Sequence, residues 1–208
     1  TAITLKLSPL PSKKIMGVCH FPSFYEAMDA AQHIVSLDPV AVELVDDTMI
    51  KLAQKIDIFK PTVDAVVKGN PKSLLLVEFA EENMDENNRR LKKLHQLMGD
   101  LGYSWKTRMK NGGVVDVIDS NLQSKVSEMR KSGLNIMMSM KNDAKPVSFI
   151  EDCAVELKDL AEYTDGLNKI FDKYNVKGTW YAHASVGCLH VRPVLNMKIQ
   201  DDVDKMRN

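Results

Sequence analysis

The chain has 208 residues, 44% of them hydrophobic, with 28 Lys plus Arg balanced by 28 Asp plus Glu. That is enough apolar material for a sizeable core, and a formal charge of zero excludes the basic excess by which nucleic-acid binders displace counterions from phosphate. No apolar run approaches the ~20 residues that cross a bilayer, no signal core opens the chain, and Cys19, Cys153 and Cys188 lack disulfide-framework or zinc-cage spacing; a soluble protein in a reducing, cytoplasmic setting is expected.

Ala2 to Leu7 alternate as a strand would, and the chain enters that segment without a leader, as a piece of something longer would. Ile15 to Phe21 is an apolar strand, after which Pro22 and Ser23 open a helix with Ser23 and Glu26 at capping-box spacing. Ala27, Met28, Ala31, Ile34 and Val35 form its inner stripe. Asp38 and Pro39 stop it, and Val40, Val42 and Leu44 give a strand that feeds a helix from about Thr48 to Ile58. Gly69, Asn70 and Pro71 break the chain before a run from Ser73 to Phe79 that suits a strand buried on both faces.

A helix from about Met84 to Gly102 follows, with Leu91, Leu94, Met98 and Leu101 inward and Arg89, Arg90, Lys92 and Lys93 read as solvated. Gly112 and Gly113 precede a strand over Val114–Ile118, and Ser120 with Gln123 has the spacing to cap a helix reaching Lys131. Gly133 to Pro146 carries no clear pattern. Val147–Ile150 reads as strand, Leu157–Tyr174 as helix with a regular apolar face, and Gly178 onward as strand. The expected fold class is α+β: a ferredoxin-like, mostly antiparallel sheet built from two β-α-β units, with helices packed on it.

The run from Gly178 to Pro193 permits register arithmetic. With Val186 and Gly187 as the central residues of a tight hairpin turn, Ser185 opposes Cys188, His183 opposes His190 and Tyr181 opposes Arg192. Tyr181, His183, Ser185, Cys188, His190 and Arg192 then share one face, and Trp180, Ala182, Leu189 and Val191 the other. Opposed Cβ atoms lie about 4.5–5.5 Å apart, which lets two imidazoles converge on one metal ion. A hydrogen-bonded His pair in a polar sheet face has the same pattern, so both readings stay open. Two His are half of a catalytic zinc site, and Cys188, beside the turn, is not assigned as the third ligand.

Glu151-Asp152-Cys153-Ala154-Val155 and His183-Ala184-Ser185-Val186-Gly187-Cys188-Leu189-His190 resemble the C-terminal, substrate-side domain of FAD-linked oxidases of the vanillyl-alcohol-oxidase superfamily, the group that holds glycolate oxidase, D-lactate dehydrogenase and D-2-hydroxyglutarate dehydrogenase. The family pattern is Glu-Asp-x-x-Val, a helix, then His-x-Gly-Asp-Gly-Asn-Leu-His; this chain departs at Ser185, Val186 and Cys188. The continuation His190-Val191-Arg192-Pro193 looks like the branch of large enzymes with an added iron-sulfur segment. Thr4 to Leu7 with Pro9 and Pro11 resembles the junction leaving the family's FAD-binding domain.

The resemblance implies a substrate domain of a flavin-dependent 2-hydroxy acid dehydrogenase, occupying residues 1–208, inactive by itself, with its FAD domain upstream. A Ser-Gly-Glu-His-Gly segment that supplies a further metal ligand would fall beyond Asn208. His183 and His190 inherit the expectation of binding a divalent metal, zinc among the candidates, that polarises a small 2-hydroxy acid. Arg130 is the positional match for a substrate-carboxylate arginine, although a solvated helix-end cation fits equally well. Lys145 is a further candidate near the same anion, Arg192 a contact of substrate or of Asp152, and Asp152 an orienting partner of a His or Arg. A cytoplasmic protein, or one peripheral to a membrane, is implied. The rivals are a stand-alone ferredoxin-like metal-binding or regulatory module and a metal-dependent hydrolase, the second lacking any His-Glu-x-x-His helix.

Overall fold

The computed structural model describes residues 2–7, 11, 13–106 and 110–208. Strand β1 (Ile15–Phe21) is buried along its whole length, and helix α1 (Phe24–Val35) follows with Ser23 as N-cap, its side chain accepting from Glu26 N. Next come β2 (Ala41–Asp46), α2 (Asp47–Ala53), α3 (Lys60–Val66) and β3 (Ser73–Phe79). They are followed by α4 (Met84–Asp100), β4 (Gly113–Val117), α5 (Ser120–Lys131) and α6 (Gly133–Met138). The chain continues with β5 (Lys145–Pro146), β6 (Ile150–Ala154), α7 (Leu160–Lys173), β7 (Lys177–His183), β8 (Cys188–Leu195) and α8 (Gln200–Arg207).

All strand pairs are antiparallel, and the path across the sheet is β4-β1-β3-β2-β7-β8-β5, with β6 also paired to β8. β3 therefore lies between β1 and β2, and β1 between β3 and β4, which is the split β-α-β interleaving of a ferredoxin-like unit. β6, α7 and β7 repeat that pattern around β8. Three interleaved units result where two were expected, because β3, α4 and β4 close around β1; the β2–β7 pairing fuses them into one sheet.

Helices cover both faces. α1, α4 and α7 pack on one face over Ile15, Phe21, Phe79 and Trp180, while α2, α3, α5 and α6 pack on the other over Met16, Val18, Leu74 and Leu76. That second apolar layer takes no residue from β7 or β8, and the corresponding face of the terminal strands is polar. The expected sorting of that hairpin holds: Trp180, Ala182, Leu189 and Val191 are buried in the first core.

Several local expectations give way to tertiary partners. Residues 2–7 are exposed and join no strand, since no neighbouring ladder satisfies their backbone; Pro9 lies outside the described residues. The helix expected over Thr48–Ile58 ends at Ala53, and a separate α3 starts with Pro61 in its first turn. Asp119, not Ser120, caps α5 by accepting from Leu122 N at 2.8 Å, which frees the Gln123 amide to donate to the carbonyls of Lys14, Val117 and Ile118. Arg90, read as solvated, is 17% exposed and pairs with Glu81, Glu86 and Asp38. The strand expected over Val147–Ile150 instead begins at Ile150.

Asp46 joins β2 to the site half of the sheet. Its carboxylate caps α2, accepting from Met49 N at 2.8 Å, and also accepts from Trp180 N of β7 at 3.2 Å. Burial, against these two hydrogen bonds, raises its pKa from 3.8 to about 7. A carboxyl raised on folding stabilises fully below its unfolded value and loses that contribution as pH rises through the folded one. The thermal midpoint therefore declines between pH 4 and pH 7 by this group's share, and Asp46→Ser, which keeps an N-cap oxygen but no charge, flattens the decline in a pH series of calorimetric scans. An unchanged slope in that variant would assign the decline to other groups.

Among the described residues no helix is long and apolar enough to cross a membrane.

Candidate functional site

The hairpin differs from its expected register by two residues. Residues Ala184–Val186 form a 3-10 turn closed by Gly187 at φ 66°, so His183 opposes Cys188, Tyr181 opposes His190 and Thr179 opposes Arg192. Val186, β-branched, avoids the positive φ that a two-residue turn would require of it, and the longer turn gives that conformation to glycine alone. A shift of two preserves the face of every strand residue. Tyr181, His183, Cys188, His190 and Arg192 still stand together, and Ser185 leaves for the turn.

The two imidazoles are now diagonal neighbours, with ring centroids 5.3 Å apart and planes at 85°. Each ring has a carboxylate beside Nδ1, as a hydrogen-bond partner for His183 and as an ion-pair contact for His190. His183 Nδ1 lies 2.9 Å from Glu43 Oε1, and His190 Nδ1 lies 3.0 Å from Asp152 Oδ1. Ligating histidines are oriented in this way, the carboxylate fixing the tautomer and leaving Nε2 for the ion. Burial holds His190 below the ordinary imidazole value despite the opposing influence of Asp152, which keeps the ring neutral and able to donate a lone pair at pH 7. The donor set fits a divalent cation.

A bulge explains how consecutive acids reach one face. Pairing of β6 with β8 slips between Ile150 and Cys153, and Asp152 adopts φ 59°, a left-handed conformation that aspartate tolerates better than most residues. Asp152 thereby meets His190 while Glu151 pairs with Arg192 Nε. Arg192 was expected against substrate or Asp152; it is engaged by Glu151, whose carboxyl this contact holds below the usual range.

Arg130, in the last turn of α5, reaches across to Glu43 at 2.6 Å and to Ala182 O at 3.4 Å. Its Nε is buried without a partner. Tyr181 lies stacked on His190, with centroids 4.6 Å apart, and the Arg130 and Arg192 guanidiniums sit 5.3 and 5.8 Å from its ring. Lys145 is not brought to this group: its ammonium donates to the carbonyls of Met138 and Met140 at the end of α6.

Sequence reasoning missed Glu43 and gave Glu151 no partner. A signal for Glu43 existed, because Val42 and Leu44 point to one core and a charge between them must face the other way. Its partners, 87 and 140 positions away, could not be read. Glu43→Ala leaves the Arg130 guanidinium, 13% exposed, without its carboxylate, so we expect a loss of about 3 kcal/mol and a midpoint lowered by about 6–12 °C. Arg130→Met costs less than half of that, because Glu43 keeps His183. Equal losses on calorimetry would contradict the asymmetry.

Solved structures share this architecture. The chain aligns over 96% of its length with p-cresol methylhydroxylase at a TM-score of 0.64 and over 98% with 4-ethylphenol oxidase from Gulosibacter chungangensis at 0.63, each 10% identical, which shows the fold alone. It shares its α+β fold with a part of those larger chains, covering 42% and 44% of them. Residues 10–208 match the family model "FAD linked oxidases, C-terminal domain", and the chain belongs to that family. It is 27% identical over 199 residues to D-2-hydroxyglutarate dehydrogenase of Pseudomonas putida and 23% identical over 210 residues to glycolate oxidase subunit GlcD of Bacillus subtilis. Those matches cover 93% and 99% of this chain but 19% and 40% of the relatives.

Proposed function

We propose that the chain is the substrate-side domain of a flavin-dependent D-2-hydroxy acid dehydrogenase whose flavin is bound by a separate domain of the same protein, with His183 and His190 holding a divalent metal. The observation that carries this reading is the pair of imidazoles, each with a carboxylate at Nδ1, on the polar face of β7 and β8. The relatives named as D-2-hydroxyglutarate dehydrogenase and glycolate oxidase subunit support the substrate class.

When bound, the cation supplies a Lewis acid that lowers the pKa of the substrate hydroxyl, and FAD supplies the hydride acceptor. The residues of this chain do the positioning. Glu43 and Asp152 set the two rings, and Tyr181 shields one side of His190 from water by stacking on it. Arg130 and Arg192, both beside the Tyr181 ring, place positive charge where a substrate carboxylate docks, each guanidinium retaining N–H groups beyond those its glutamate takes. The three free cysteines suit a reducing cytoplasmic setting, and an iron-sulfur segment would lie elsewhere in the whole protein.

The test is metal and flavin analysis of the whole protein, followed by anaerobic mixing with D-lactate, glycolate and D-2-hydroxyglutarate. Bleaching of the flavin by at least one acid, lost after chelation and restored by metal, is expected. A flavin that no 2-hydroxy acid reduces would sink the assignment and favour a regulatory module; reduction indifferent to chelation would remove the metal.

A further inference from the structure

The shifted register has a chemical result at Cys188. In a hairpin turning at Val186 and Gly187 this residue would oppose Ser185, but the observed pairing sets it directly across from His183 and two positions before His190 on the same face. Its sulfur, a ring nitrogen of His190 and a carboxylate oxygen of Asp152 lie within 4.8 Å of one another. Zinc bonds of about 2.3 Å to sulfur and 2.0–2.1 Å to nitrogen come within reach of such a group by small side-chain rotations. The other thiol nearby is set apart: Cys153 donates to Ile150 O and packs against the first core, whereas Cys188 stands half-buried on the polar face with the histidines.

We infer that Cys188 is a metal ligand, its thiolate joining His190 in a nitrogen-sulfur site selective for a thiophilic divalent ion, with Asp152 as the carboxylate of the same group and His183, across the hairpin from Cys188, brought in by side-chain rotation. The inference rests on the two-histidine reading above and adds the third donor and the class of ion. A sulfur donor disfavours magnesium, calcium and manganese, which prefer oxygen, and favours zinc and its cobalt surrogate. Formation of the metal-sulfur bond displaces the thiol proton to solvent, so the step balances without any oxidant.

Cobalt(II) titration of the full chain, followed by absorption, tests this without any turnover. The expected spectrum combines visible d-d bands with a near-ultraviolet sulfur-to-cobalt charge-transfer band, both saturating at one equivalent; zinc bleaches them and a large excess of magnesium does not. Cys188→Ala, and Cys188→Ser as a variant nearer in volume, keep the d-d bands and lose the charge-transfer band, while Cys153→Ala keeps both. A wild-type complex without the charge-transfer band, or its survival in the Cys188 variants, overturns the inference and leaves the two-histidine site standing. Absence of cobalt binding by the wild-type chain, with His183→Ala and His190→Ala indistinguishable from it, overturns both.

Discussion

On the proposed reading, alanine in place of His183 or of His190 is expected to lower turnover of a D-2-hydroxy acid by the whole protein by about 10²- to 10⁴-fold, the equivalent of the several kcal/mol that Lewis-acid stabilisation of a developing alkoxide would supply. Stability moves little. The His183 side chain is 49% exposed, and substitutions at open positions stay within about 0.5 kcal/mol; His190, 16% exposed, costs more through its lost stacking on Tyr181. The separation of the two effects matters because a structural histidine pair would reverse it, lowering the midpoint and sparing turnover. Glu43→Gln is the graded companion: it keeps an acceptor for His183 but not the charge, and a 10- to 100-fold loss in metal affinity is the size seen when such an orienting group is changed. Steady-state kinetics with metal content measured in each variant distinguishes the cases. Full turnover in both alanine variants would end the metal-site reading.

Gly187→Ala is expected to be the most destabilising small substitution in the hairpin. Gly187 sits at φ 66°, where an L side chain costs about 1–2 kcal/mol, and a methyl group there would clash with Val155 O. The turn cannot retreat, because Gly187 O accepts from Val155 N at 2.9 Å and ties the hairpin to the segment after β6. A total of about 3–5 kcal/mol follows, read as a midpoint lowered by about 6–20 °C. Gly166, within α7 and with no atom in reach of an added Cβ, is the control: Ala there raises stability by up to about 1 kcal/mol. If Gly187→Ala behaved like Gly166→Ala, the close approach to Val155 would not exist in solution.

Much of the fold was legible because its signals are local. The apolar runs of β1 and β3, the Ser23 cap of α1 and the periodic face of α7 each follow from residues within one element. Errors cluster where a distant partner outcompetes the local one. Gln123 has capping-box spacing from Ser120, yet its amide serves three carbonyls, including Lys14 O 109 positions away. Arg90 reads as one of four surface cations, yet Asp38 and Glu81 arrive from other parts of the chain. The segment from Gly133 to Pro146 showed no pattern because α6 and β5 are short and their packing, through Ile136 on the second core and Lys145 on the α6 carbonyls, is tertiary.

The balance of 28 cations against 28 anions acquires a local meaning at the site, where Glu43 meets Arg130 and Glu151 meets Arg192, so each guanidinium is paired with a carboxylate from another element. By itself the sequence determined which residues of the last hairpin share a face, since alternation has a period of two and survives any even slip in register. Only the tertiary structure decided who stands opposite whom. The turn needs its left-handed residue at Gly187, the β6 bulge turns both acids toward β8, and α5 carries Arg130 to a glutamate on β2. Those are contacts between segments distant in the chain, and no local periodicity encodes them.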